Sequence, residues 1–358
     1  MSEQRQLSVA LMAALCVGLA ACGPSSVALP SAAAPSVVPV NSSPNSVTSP
    51  PPPTQPQTAI AGKIAFSRDG NIWVYAGSTA KQFTQIGSAG DPAWSPDGTQ
   101  LAFDKQDKNS ADLYLAAYPQ GSARALSNNA AQIVENNLWD MQPDWSADGL
   151  SLAYVSDRAR STTGILDPAA WRLTLSSRNR VQLSQANQYT GGVDFPRWRP
   201  GHSSELAYTS WAYDPTTLAA YGQLTLLDTQ TRQADALTPT DQTAFQASWS
   251  PDGSHLVFIK RNGRNDDIWI MPVNESGTSS DASPSGVNTA SGSVLIPGAA
   301  AHPVWSPDGH AIAYIGLKDG SLDLFVQPLT DSLQPSGAPK QLTSGWHIEA
   351  ASAISWGP

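Results

Sequence analysis

The chain of 358 residues sets 29 acidic side chains against 20 Lys and Arg, a formal charge of −9, and only 14% of its residues are charged. That balance excludes a basic footprint for nucleic acid or for anionic lipid. Twelve Trp, 27 Gly and 29 Pro point away from a helical bundle toward strands and tight turns, and the two Cys, Cys16 and Cys22, leave no disulfide or thiolate metal site beyond residue 22.

Residues 7–21 carry no charge and follow Arg5 and the α-amino group. The stretch is shorter than the ~20 apolar residues of a spanning helix and has the layout of a signal peptide. It ends on Leu19-Ala20-Ala21-Cys22-Gly23, which resembles the lipobox of bacterial lipoproteins. The resemblance implies cleavage before Cys22 and diacylglycerol on its sulfur. Residues 1–21 are then a signal peptide, and the protein is expected outside the cytoplasm, anchored through Cys22 to the plasma or the outer membrane. Residues 22–61 read as a disordered tether. Ten Pro lie between Pro24 and Pro56, and no Lys, Arg, Asp or Glu occurs between Arg5 and Lys63. Such a segment buries too little apolar surface to fold, and as extended polyproline it reaches at most roughly 120 Å.

From residue 62 onward the chain repeats itself. Trp94-Ser95-Pro96-Asp97-Gly98 is followed by Leu101-Ala102-Phe103. Trp145, Trp249 and Trp305 open close copies, Trp198-Arg199-Pro200-Gly201 is a degenerate one, and the chain ends on Trp356-Gly357-Pro358. The Trp-to-Trp spacings are 51, 53, 51, 56 and 51. In each unit a first strand ends at the Trp, and Ser-Pro-Asp-Gly makes a turn in which Pro presets φ and Gly accepts φ > 0. A Leu-Ala-Phe strand follows, then an alternating third strand such as Asp267-Ile268-Trp269-Ile270, and then a short fourth. Four strands at a period near 50 residues make a propeller blade. The repeat begins on a second strand, Lys63–Phe66, and finishes on a first strand, Ile354–Trp356. Residues 62–358 are therefore expected to form a single all-β, six-bladed propeller of four-stranded antiparallel blades, closed by the C-terminal strand. The repeat residues Trp94, Trp145, Trp198, Trp249, Trp305 and Trp356 are read as packing between blades, and Asp97, Asp148, Asp252 and Asp308 as turn residues. The insertion from Asn274 to Ser291 in blade five is expected to be a mobile surface loop.

These motifs, with Ser67-Arg68-Asp69-Gly70-Asn71-Ile72-Trp73 as a second signature, resemble the WD-like repeats of TolB-type propellers. In that family an α/β domain precedes the propeller, which docks a peptidoglycan-associated lipoprotein. Here a short tether stands in that domain's place, and the partner implied is an envelope protein or peptide.

No Gly-x-Ser-x-Gly elbow, His-Glu-x-x-His motif or P-loop occurs. The expectation is therefore a monomeric binding scaffold that is not an enzyme and uses no metal or cofactor. The alternatives are a binder of a small ligand or polysaccharide, or a propeller hydrolase or lyase. The binding surface is expected at the channel mouth formed by the loops that enter each first strand. Those loops carry Asp91, Glu135, Trp139, Asp140, Tyr189, Asp194, Asp241, His302, Trp346 and Glu349. An acidic, aromatic-rimmed mouth suits a cation, a basic peptide segment or a sugar.

Overall fold

The computed structural model describes residues 59–159, 167–186, 191–214, 216–217, 219–263, 265–274, 292–298 and 300–358. Cys22, the tether up to residue 58, Tyr189 and residues 275–291 of the blade-five insertion lie outside them. The described residues form six four-stranded sheets, each antiparallel and ordered along the chain. Blade two is representative: Ala89–Trp94, Gln100–Asp107, Ser110–Ala117 and Ala123–Ala125. In blade one the last strand of the chain, Ser355–Gly357, supplies the innermost position. It pairs Lys63 with Gly357, Ile64 with Trp356 and Ala65 with Ser355. The closure expected from the two ends of the repeat is therefore present.

The repeat explains the packing. Each blade buries its alternating residues against the next, giving six apolar clusters around the ring. Ala65, Ile72 and Val74 of blade one meet Trp94, Leu101 and Phe103 of blade two. The last interface joins Ile315 and Leu324 of blade six to Ile64, Phe66 and Tyr75 of blade one. Five of the repeat Trp are buried and Trp356 is half-buried. Each is a wedge between two sheets, where bulk fills the widening gap.

The turn aspartates are structural. Asp252 Oδ1 accepts bonds from Ser250 Oγ at 2.5 Å and from the Ser254 amide at 3.0 Å. Asp97, Asp148 and Asp308 do the same in their turns. These bonds to the charged form hold Asp252 down at about 2. In the degenerate blade-four turn Arg199 substitutes for this device. It is buried, bonds Glu205 Oε2 at 2.7 Å, and reaches into blade five to the carbonyls of Gly253 and Val273.

Candidate functional site: the central channel

The first strands line the axis, and one local feature recurs in them. In blades two to six the pairing of first and second strands breaks four residues before the repeat Trp, after Gly90, Met141, Asp194, Phe245 and Ala301. It resumes at Ala93, Asp144, Arg197, Ser248 and Val304. The skipped pairs are Asp91-Pro92, Gln142-Pro143, Phe195-Pro196, Gln246-Ala247 and His302-Pro303. The first member of each has a left-handed φ: 47, 56, 49, 54 and 50°. Proline suits the second place because a bulge frees it from donating to the ladder.

The bulge residues bond one another across the blades. Gln142 Oε1 accepts the Phe195 amide at 2.9 Å, and Gln246 Oε1 accepts the His302 amide at 2.9 Å. Asp91 Oδ1 accepts the Ala353 amide at 2.7 Å, and the Gln142 amide donates to Asp104 Oδ2 at 3.0 Å. Phe195 of blade four and His302 of blade six, which are not neighbours in the ring, touch edge to face with centroids 5.2 Å apart. Side chains therefore meet over the axis at this level.

Burial governs the electrostatics of this storey. Asp91 and Asp104 are hydrogen-bonded to each other and wholly buried, and both are raised, Asp104 well above the usual carboxylate range. Desolvation is the main cause, and for Asp104 the charge of Asp91 adds to it. Asp194 is pushed up to about 6 by burial, against the bond from Trp211 Nε1 at 2.7 Å. His302 is held down to about 3 by burial, although its Nε2 lies 3.0 Å from the Ala350 carbonyl.

Two residues farther along the same strands the channel opens. A cavity of about 380 Å³ lies on the face bearing the Trp-Ser-Pro turns. All six blades line it, through the six repeat Trp, Pro96, Pro200, Pro251 and Pro307, and the residues that precede each Trp. Among the described residues its side-chain charges are Asp144 and Arg197, whose Oδ1 and Nη1 are 3.8 Å apart. Asp144 Oδ2 accepts the Trp198 amide at 2.8 Å. Burial pushes Asp144 up to about 6, with Arg197 pulling the other way.

The residues expected at the opposite mouth are not brought together as an exposed rim. Asp91, Asp194 and His302 do face the axis, but they are buried in the bulge network. Asp140 is 0% exposed, bound by Arg158 Nη2 at 2.5 Å and by Ser156 Oγ at 2.6 Å. Trp346, expected to be exposed, is 2% exposed. It packs edge-on against Phe66 and Trp73 under the guanidinium of Arg68. Trp139 is half-buried, and so is Glu349, whose Oε1 accepts the Gly70 amide at 2.8 Å. Glu135 and Asp241 are exposed, and Tyr189 falls outside the described residues. Converging strands are the cause, since residues that begin a first strand are covered by the neighbouring blades. Asp144, Arg197 and Gln142 went unnoticed in the sequence. Aligning the residues three and one before each repeat Trp would have found them.

The fold is a six-bladed propeller of the kind seen in TolB structures. The structure superposes on TolB from Acinetobacter baumannii with a TM-score of 0.59 at 19% identity, covering 83% of this chain and 67% of that one. A putative TolB from Agrobacterium tumefaciens matches with a TM-score of 0.56 at 14% identity, over 85% of this chain and all of that one. No family model matches the sequence. The uncharacterized peptidase YuxL of Bacillus subtilis (strain 168) is 26% identical over 222 residues, 53% of this chain. The matched part is about a third of that relative, 32% of its length. The expectation that the chain is not an enzyme is overturned by this relative, which carries a peptidase name.

Proposed function

We propose that the protein is a lipid-anchored extracytoplasmic propeller that receives a protein or peptide segment at the turn-side mouth of its central channel. The supporting observation is the cavity of about 380 Å³ to which all six blades contribute. Its volume falls in the range of about 300–1,000 Å³ typical of ligand sites. The anchor and the location rest on the residues around Cys22. A photo-crosslinking residue at Ser248, in the cavity lining, should join the full-length protein to its envelope partner in intact cells. The same residue at exposed Gln230 should not. Equal crosslinking from both positions would remove the channel from the interaction.

A second reading is favoured by the peptidase name of the relative. In it the channel serves peptide cleavage, and Asp144 at about 6 is suited to proton transfer near neutral pH. Mass spectrometry of short peptides incubated with the purified protein tests it, and a mixture left intact speaks against it.

A further inference from the structure

The cavity at the turn-side mouth is blind, and one side-chain carboxyl and one guanidinium stand among its described lining residues. At its inner end Phe195 and His302 meet over the axis, and the Arg197 guanidinium lies 5.6 Å from the Phe195 ring. A mid-chain segment entering a blind axial cavity would have to turn and leave by the same mouth. A chain end enters along the axis with no such demand. Four carboxyls stand in or directly behind the channel wall, Asp91, Asp104, Asp144 and Asp194, and every one is pushed upward by burial. Arg197 is the one cation among the described residues that acts on them, and His302 stays neutral. That upward shift is toward the neutral form, so the count of carboxyls is not a count of negative charges. Asp144 is the carboxyl that reaches the cavity, with 23% of its side chain exposed. Its Oδ2 is engaged by the Trp198 amide, while Oδ1 has only the Arg197 nitrogen at 3.8 Å, beyond hydrogen-bond distance. An acceptor oxygen thus borders a cavity walled by indoles, prolines and the Arg197 guanidinium, and the indole faces can take up a cation beside it.

We propose that this mouth recognises the free amino terminus of a peptide, with the ammonium group donating to Asp144 Oδ1. The inference rests on the reading of the mouth as a peptide site and adds to it which end of the chain enters. Calorimetric titration of the full-length protein with the tripeptide amide Ala-Pro-Ala-NH₂ and with its N-acetylated form tests it. The free amine should bind at least tenfold more tightly. Asp144→Asn keeps an acceptor for the Trp198 amide and should erase the difference. So should Ser248→Lys, which introduces an ammonium into the same lining and serves if the first variant fails to fold. Equal binding of the two tripeptides overturns the ammonium and leaves the peptide site standing. Tighter binding of N-acetyl-lysine amide than of Ala-Pro-Ala-NH₂ overturns the chain terminus as the source of the ammonium. Failure of all three probes to bind removes the peptide site together with the inference.

Discussion

Asp194 and His302 are buried in the same storey of the channel and titrate in opposite senses. Burial holds the Asp194 carboxyl protonated up to about 6 in the folded chain, against an ordinary 3.8. Folding therefore takes up a proton between those values, and this residue's contribution to stability falls as pH rises from about 4 to 6. His302 is neutral down to about 3 against an ordinary 6.5, so its contribution is lost as pH falls from about 6.5 toward 3. The two slopes oppose each other, and substitution separates them. Asp194→Asn retains an acceptor for Trp211 Nε1 and removes the cost of a buried charge. It should raise the unfolding free energy by about 1–3 kcal/mol at pH 8 and leave it nearly unchanged at pH 4, as read from urea melts at the two pH values. A variant weaker at both would show Asp194 to be ionised and stabilising. None of this was legible in the residue types. Asp241 and Asp194 look alike in sequence, yet one is exposed and the other buried beside Trp211, because only the convergence of the blades distinguishes a loop from the start of an inner strand.

At the scale of the element, the closing strand carries the ring. Three residues, Ser355–Gly357, complete blade one, and Trp356 Nε1 donates to the Ala61 carbonyl at 2.9 Å. A Cβ on Gly357 would stand 2.5 Å from Trp94 Cγ, so this position tolerates no side chain without displacing a repeat Trp. Gly357→Ala should lower the melting temperature by several degrees, corresponding to an overpacking cost of about 1–3 kcal/mol. Deleting residues 355–358 should lower it further by leaving the inner edge of Ile60–Arg68 unpaired. A deletion that melts like the full chain would show that the ring is held without this strand. The bulge is the element that sequence reading missed. Pro92, Pro143, Pro196 and Pro303 recur two residues before Trp, and a proline inside a strand marks a bulge or an edge. The signal is spread one residue per blade and emerges only when the repeats are aligned on their Trp.

For the whole molecule, the proposed anchor sets where the propeller works. Its first described strand, Ile60–Arg68, starts next to the closing strand, on the face where Trp356 and Pro358 line the cavity. A lipidated Cys22 would therefore join the propeller on the same face as the turn-side mouth. Cys22→Ala should move the protein from the membrane fraction to the soluble one, checked by fractionation and detergent partitioning. Retention in the detergent phase would place the anchor elsewhere. The number of blades, their four strands, the turn chemistry and the closure were determined by the sequence alone. They follow from local preferences repeated at a fixed period, and each copy reinforces the reading of the others. Which mouth is open was decided only by the tertiary structure. Asp91, Gln142, Phe195, Gln246 and His302 occupy one repeat position with four different residue types, and gain a common role only when the first strands bring them to one axis. There Phe195 and His302 fill the space toward one face, while the smaller Ala93, Ser248 and Ser355 leave room on the other.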